Sequence, residues 1–418
     1  MFGLSDSSGV EFTARDEALL KEMVITNDGP GTILRDFEVL LDYVQTNEPT
    51  VTKNYQLPMK ALEPINGCLT HPIPHNLSRP TQKSLPNVGG LYLLFRASGL
   101  AFIDTSSKKP RLKLNEQVLS SWQRLNPTER YFTLLESWLL RGSEELLGES
   151  YRSFYSFYHP LTQWLYFHIR LQGPDWPAET DNLANALRYL PGLHNLALME
   201  MFGFVIIESG APAAKGGWQI TAVEPTQYGK ILLGYLEKKV LRESNILLEL
   251  ESPAQVMPGQ LQPFIQPYFP QWQNNIQWPE VSFRSGTHIF RVSLSKSIWR
   301  RIAIDAETSL EFLADVILDA FDFANDHLHR FIYRSHLGTN QDVNHPYMDE
   351  GPFTSEVRVG DMTLPIGGTM DFNFDFGDDW YFTVQLESVE EGKELKRPKI
   401  LESHGKAPEQ YPSYGDEW

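Results

Sequence analysis

The sequence predicts an α+β protein with a mainly helical N-terminal half and a C-terminal half built on an antiparallel sheet. Two observations separate the halves: apolar residues recur at helical spacing before the boundary, and alternating strand patterns begin after Phe283. A third observation is the segment between them, which is rich in proline and glutamine and is typical of a boundary. We therefore expect four regions, at 1–125, 126–251, 252–282 and 283–418.

The overall composition indicates a water-soluble chain without disulfides. The formal net charge of the 418 residues is −17, and Cys68 is the single cysteine, so an intramolecular disulfide or a thiolate zinc site is excluded. The N-terminal residues lack the basic and apolar regions of a signal peptide, and no apolar run is long enough for a membrane span. We expect a cytoplasmic protein with no membrane association.

The N-terminal half contains the same order of elements twice. The first 48 residues read as two helices, and the next pattern is a helix, a glycine, a short hairpin and another helix. That pattern returns about one hundred residues later with Gly203 at the equivalent place, and Thr226 is predicted to cap its last helix. The predicted elements are helices at 88–98 and 193–202, and strands at 100–104, 111–114, 204–208 and 218–221. This order predicts two winged-helix-like units.

One part of this acidic protein is basic. Residues 50–113 contain nine Lys and Arg side chains but only Glu63 and Asp104 as acids, whereas residues 283–418 contain 13 basic and 24 acidic residues. Basic side chains on a wing and a recognition helix can neutralise phosphates. The alternative is an intramolecular contact with the acidic C-terminal region. The candidate nucleic-acid-binding residues are Arg79, Lys83, Arg96, Lys108, Lys109, Arg111 and Lys113.

The C-terminal half predicts two strands, a helix and further strands. Strands are expected in HIFRVSL, IWRRIAI and HLHRFIY, and the residues from Thr308 to Glu311 form a capping-box pattern before an apolar helix face. This order is β-grasp-like, with one helix on one face of a sheet.

These motifs resemble those of the Ri-plasmid ORF-three-like family, whose members are often described as insertion-element passenger or TnpR-like proteins. The resemblance rests on FRVSL, IWRRI, DHLHRFIY, FDFGDDW and GKAPEQYPSYG, and it covers about 285–418. The N-terminal half is similar to the helical extension of longer members. The resemblance implies the fold and a mobile-element or plasmid background, and it supplies no reaction. The tail reads ILESHGK and lacks the cysteine of the family's last motif, which counts against a metal site there.

The stretch MDFNFDFGDDWYFTVQL predicts a hairpin. With 377–379 as its loop, every directly opposed pair on one face is apolar and every pair on the other face is polar. The predicted apolar pairs are Phe376 with Trp380, Phe374 with Phe382, Phe372 with Val384, and Met370 with Leu386.

A more specific alternative is that the acids of this stretch form a metal site with two histidines of another strand. His327 and His329 would share one face of a strand, and two imidazoles with a carboxylate are ligands for zinc or iron. The candidate cluster is His327, His329, Asp375, Asp378 and Asp379.

No other pattern indicates catalysis. Nucleotide-binding glycine loops, GxSxG, HExxH and calcium-binding loops are absent from the sequence, so no catalytic residue and no cofactor are predicted. The leading hypothesis is a non-enzymatic adaptor that binds nucleic acid or a protein partner through its N-terminal half. The alternative is a metal-dependent enzyme that uses the C-terminal His and Asp cluster.

Overall fold

The computed structural model divides the chain into two units, Met1–Pro279 and Glu280–Trp418. The residues that it describes are 12–105, 109–148, 167, 183, 186–188, 190–244, 256–279, 282–335 and 337–411. Helices predominate in the first unit and an antiparallel sheet forms the second, which confirms the predicted α+β fold. Within the described residues, no helix combines the length and the apolar character needed to cross a membrane.

The first unit is mainly helical. The amphipathic helix Ile33–Asn47 forms as predicted and buries its apolar stripe, including Phe37, Leu40 and Val44. The other helices of the unit are Ala14–Glu22, Met59–Asn66, Pro86–Ala97, Glu116–Gln123, Pro127–Glu136, Leu193–Met201, Gln227–Leu236 and Gln262–Ile265. Much of the aromatic stretch between residues 149 and 189 lies outside the described residues.

Both predicted helix–hairpin–helix segments form. The first hairpin pairs strand β1, Ala101–Asp104, with β2, Arg111–Leu114, and the second pairs β3, Val205–Ser209, with β4, Ile220–Pro225. The predicted returning strand at 218–221 was placed too early, because Trp218 lies in the loop. Its indole Nε1 donates a hydrogen bond to Ser209 Oγ at 2.9 Å and closes the loop.

The helices that precede the two hairpins, Pro86–Ala97 and Leu193–Met201, pack against each other. Gly90 lies at their contact, where an added Cβ would approach Leu198 Cγ to 2.8 Å. All twelve residues of helix Pro86–Ala97 are buried. The prediction that this helix is an exposed recognition helix is therefore wrong, because a helix enclosed on every side cannot enter a groove of DNA.

The proline-rich segment is fixed to the first unit by buried carboxylates. The two oxygens of Glu136 accept hydrogen bonds from Gly259 N at 2.7 Å and Leu261 N at 2.8 Å, and Oε1 also accepts one from Arg141 Nη1 at 3.0 Å. Both side chains of the ion pair are almost fully enclosed. Farther along, Trp278 Nε1 donates to Ser98 O at 2.8 Å. Residues 256–279 are thus an ordered part of this unit.

The second unit is a seven-stranded sheet with the order β11-β6-β5-β10-β9-β7-β8, and each pairing is antiparallel. Helix Leu310–Ala320 packs its apolar side against one face of the sheet, where the core forms. The strands are β5 Thr287–Ser295, β6 Ile298–Asp305, β7 His329–Arg334, β8 Asn340–Asn344, β9 Thr369–Phe374, β10 Trp380–Glu390 and β11 Lys399–His404.

Side chains satisfy both ends of the helix Leu310–Ala320. Its N-cap is Ser309, whose Oγ accepts from Phe312 N at 3.2 Å. The predicted cap at Thr308 is therefore one residue early, and the predicted capping box with Glu311 does not form. At the other end, buried Arg300 interrupts the apolar pattern of β6 for a physical reason. Its Nε donates to Ala320 O at 2.8 Å, and Nη1 donates to His404 O at 3.0 Å, which connects the helix end to the edge strand.

We predict that Glu136→Gln destabilises the first unit strongly. The change leaves the buried Arg141 guanidinium without a counter-charge, and breaking such a pair costs about 3–5 kcal/mol. The free energy of unfolding, measured with urea, should fall by that amount. Glu116→Gln, on an exposed position of a neighbouring helix, is the matched control and should change it little. Equal effects of the two substitutions would contradict the assignment.

Candidate functional site

A chain segment beside the first hairpin extends it to a three-stranded ribbon. Leu112 N donates to Pro49 O at 2.9 Å, and Val51 N donates to Pro110 O at 2.9 Å, with Thr50 bridged antiparallel to Arg111. Directly after Val51 the chain turns, with Thr52 N donating to Gln56 O at 2.9 Å and Tyr55 N donating to Thr52 O at 2.9 Å, so Lys53 lies in a turn that follows the pairing of Val51 with Pro110. The ribbon therefore places Lys53 at the same end as the basic residues that precede and begin β2.

A second connection adds Lys83 to this region. Lys83 lies in the short helical turn Gln82–Ser84, and the side-chain Oε1 of Gln82 accepts a hydrogen bond from Leu57 N at 2.8 Å. This bond ties the turn to the segment that follows Lys53. We define the basic edge as the exposed residues Lys53, Lys83, Lys109 and Arg111.

The structure separates other candidate residues from the basic edge. Arg96 is buried, and its Nη1 donates to Tyr92 Oη at 3.1 Å, so its predicted role as a phosphate ligand is wrong. Lys113 forms an ion pair with Asp104 at 2.8 Å, and the hydrogen bond raises the pKa of the ammonium group. Arg79 is exposed on a different loop. Lys108 lies outside the described residues.

Lys53 is the residue that sequence reasoning missed. Lys53 belongs to the basic region 50–113, but the segment around it has no apolar periodicity that would predict which strand it pairs with. The pairing of residues 49–51 with the hairpin was therefore not foreseen. The exposed Arg111 side chain also contacts this segment, because its Nη1 donates a hydrogen bond to Glu48 O at 2.8 Å.

The acidic hairpin forms between β9 and β10, with a register that differs from the prediction by two residues. Phe374 pairs with Trp380, Phe372 with Phe382, and Met370 with Val384. Because the difference is an even number, the predicted faces are retained: the rings at 372, 374 and 382 are buried in the core.

The cause of the register difference is the length of the turn. The turn comprises residues 375–379 instead of the three predicted, and both Asp375 and Asp379 adopt positive φ, at 53° and 56°. The carboxylate of Asp375 accepts hydrogen bonds from Gly377 N at 3.0 Å and Asp378 N at 3.3 Å. Phe376 consequently leaves the apolar face and lies in the turn, 42% exposed.

His327 and His329 do not share a strand face. His327 precedes β7 and is about half exposed, with Nε2 at 3.5 Å from Asp375 Oδ2. His329, the first residue of β7, is completely buried, and its Nε2 lies 3.2 Å from Thr354 Oγ1. The expectation that the two imidazoles face one point is therefore wrong.

The proposed metal cluster is not assembled. Asp378 and Asp379 are exposed in the turn, and Asp379 Oδ1 accepts from Asn373 Nδ2 at 3.1 Å. Among the described residues, no group of three or more His, Cys, Asp or Glu side chains is arranged to hold a metal ion. The five candidate side chains therefore do not converge as the sequence predicted.

His329 lies in an apolar setting beside a second imidazole. The centroids of the His329 and His345 rings are 4.7 Å apart, and Phe372 packs on the same ring. Burial, reinforced by the charge that His345 carries when protonated, lowers the pKa of His329 to about 3. His329 is therefore a neutral core residue at ordinary pH, and it serves the packing of the sheet.

Comparison with known proteins confirms the resemblance of the C-terminal region. The family model described as plasmid pRiA4b ORF-3-like protein matches residues 288–411. A solved structure, of a protein of unknown function, MM3350, from Methanosarcina mazei Go1, is 22% identical, with a TM-score of 0.26. That match covers 30% of this chain and 72% of the other. No curated protein matches the chain significantly.

We predict that Asp375→Ala weakens the acidic hairpin. The substitution removes the acceptor for two amide groups of the turn and places alanine at a positive φ, which together cost about 1–3 kcal/mol in unfolding free energy. The exposed Asp378→Ala is the control and should cost less. Urea unfolding of both variants measures the difference. If Asp378→Ala is the more damaging change, the turn does not depend on Asp375.

We also predict that stability depends on the protonation of His329. Its pKa is lower in the folded chain than the ordinary value of 6.5, so the unfolded chain binds more protons below that pH. The contribution of neutral His329 to the free energy of unfolding is fully present above pH 6.5. It falls as the pH decreases toward 3, by about 1.4 kcal/mol for each pH unit.

The measurement is urea unfolding at pH 7 and pH 5 for wild type and His329→Phe. The variant keeps a ring but does not titrate, so its loss of stability between these pH values should be smaller. His404→Phe, on an exposed strand, is the control and should behave as the wild type. An undiminished loss in His329→Phe would refute the assignment.

Proposed function

We propose that the N-terminal unit binds the phosphate backbone of nucleic acid through the basic edge. The observation that carries this proposal is the pairing of Val51 with Pro110, which brings Lys53 to the end of the hairpin near Lys109 and Arg111. Lys and Arg side chains that converge on one exposed edge neutralise phosphates and release counterions. The activity is binding, and no reaction is assigned to it.

The same geometry favours binding with little sequence preference. Base readout needs an element that enters a groove, and helix Pro86–Ala97 is buried along its whole length. The same ribbon carries an exposed ring: Phe102 on β1 is 40% exposed and lies opposite Lys113, outside the basic edge. An exposed ring suits packing against a sugar or an unstacked base.

The charge of the remainder of the protein shapes this activity. A net charge of −17 repels nucleic acid at long range, so attraction comes from the basic edge at short range. We therefore propose an accessory or adaptor role. In this role a partner protein, or the plasmid or mobile element that the family resemblance implies, raises the local concentration of nucleic acid. An acidic protein segment is the competing ligand for the same cations.

We predict that Lys53→Glu combined with Lys109→Glu reduces nucleic-acid binding at least about tenfold at low salt. Fluorescence anisotropy with labelled duplex and single-stranded 30-mers (roughly three duplex turns) measures the affinity over a salt series. The wild-type logarithmic salt slope should be about −2 to −4, and each lost contact should reduce its size by about 1.

The matched control carries two charge reversals elsewhere in the same unit. Lys230→Glu with Lys238→Glu changes the net charge equally at exposed positions of the helix Gln227–Leu236 and of the π-helical segment Glu237–Arg242 that follows it. This control should bind like wild type. Equal loss in both double variants would show a net-charge effect alone, and salt-independent or absent wild-type binding would overturn the proposal. Direct binding of a labelled glutamate polymer without binding of either nucleic acid would assign the surface to an acidic protein.

A further inference from the structure

A cleft in the first unit lies between the helix Met59–Asn66 and the loop that follows it. Its volume is about 580 Å³, within the size range of sites for small molecules. The helix contributes Lys60 and Glu63 from one face, and the loop contributes His75 and Ser78. The apolar wall consists of Met59, Ile73, Pro74, Leu77 and Pro80.

One carboxylate in the cleft is held in a fixed orientation. Oε1 of Glu63 is hydrogen bonded to His75 Nε2, while His75 Nδ1 accepts from Leu77 N at 3.2 Å. Both ring nitrogens are therefore used, and the tautomer with hydrogen on Nε2 is selected. The imidazole acts as a positioning group, and the second oxygen of the half-exposed Glu63 can accept a hydrogen bond from a ligand.

The walls of the cleft are held by hydrogen bonds that need no ligand. Buried Asn66 exchanges two bonds with Ile73, from Nδ2 to the carbonyl at 3.1 Å and from the amide to Oδ1 at 2.9 Å. Asn76 anchors the far side of the loop, because its amide donates to Gly216 O at 2.9 Å and its Nδ2 donates to Pro212 O at 2.9 Å. A preformed site loses little conformational entropy on binding.

Lys60 and Glu63 carry opposite charges on neighbouring positions of the helix, but they do not form an ion pair with each other. Lys60 and Glu63 are three residues apart, a spacing that puts their Cβ atoms about 5–6 Å from each other. Among the ion pairs of the described residues, Glu63 joins His75 and not Lys60. Lys60 and Glu63 both line the cleft, beside an apolar wall.

We propose that this cleft binds a short apolar peptide with free termini, of about dipeptide size. Glu63 receives the terminal ammonium group, Lys60 receives the terminal carboxylate, and the apolar wall covers the side chains. A ligand with one charge would contact only one of these two side chains, whereas a zwitterion can contact both.

This site is independent of the basic edge, since the two share no residue. Loss of peptide binding in cleft variants should leave nucleic-acid binding unchanged, and the reverse holds for Lys53→Glu with Lys109→Glu. Failure of one proposal therefore does not imply failure of the other.

The test is isothermal titration of the full chain with leucyl-leucine, N-acetyl-leucyl-leucine and leucyl-leucinamide. The free dipeptide should bind with a dissociation constant below about 10 mM, and each capped form should bind at least about tenfold more weakly. Glu63→Gln should weaken the free dipeptide and the amide but should not weaken the acetylated form further. Lys60→Met should give the reciprocal pattern.

Matched controls and a fold check complete the experiment. Glu22→Gln and Lys230→Met make the same changes at exposed sites outside the cleft and should bind like wild type. Circular dichroism and thermal unfolding of each variant should match wild type, and His75→Gln should weaken the free dipeptide less than Glu63→Gln. Absence of leucyl-leucine binding at about 10 mM, or equal binding of the capped forms, would overturn the proposal.

Discussion

The buried Glu136 carboxylate organises the N-terminal unit. It accepts two backbone amides from the proline-rich segment and pairs with Arg141, whose Nε in turn donates to Ala97 O at 3.1 Å. The Glu136–Arg141 pair thereby joins the end of the helix Pro86–Ala97, the helix that ends at Glu136, and residues 259–261. The backbone hydrogen bonds within the segment are local, such as that from Gln266 N to Gln262 O at 2.9 Å. The side-chain acceptors of Glu136 connect this locally bonded segment to the helices and explain why a proline-rich segment is part of the core.

Much of the fold was predictable because it depends on local patterns. The helix Ile33–Asn47 and both hairpin segments follow from apolar spacing and from glycine stops, which are properties of adjacent residues. The burial of helix Pro86–Ala97 also had a signal, since nearly every face of LPNVGGLYLLFRA is apolar. A helix that is apolar all round is buried, and this outweighs the winged-helix analogy that placed it at the surface. Arg96 illustrates the point: one charge at the end of such a helix is enclosed with it.

The candidate surfaces were less predictable because they join distant segments. Lys53 meets the hairpin through pairing between residues 49–51 and 110–112, and His75 meets Glu63 across a loop. No periodicity links such positions, and only the folded chain shows which basic residues share an edge. The sequence did predict the excess of positive charge in 50–113, since charge is additive and needs no geometry. It could not divide these residues into exposed, paired and buried ones.

The acidic turn shows why clustered carboxylates need not form a site. Asp375 serves the backbone: it adopts positive φ, and its side chain accepts the amides of Gly377 and Asp378. Asp379 also adopts positive φ and receives a hydrogen bond from Asn373. Aspartate tolerates this conformation better than bulky residues and can bond its own turn. Lengthening the turn from three residues to five moves Asp375 from the strand into the turn, where its carboxylate caps backbone amides and is not a free metal ligand.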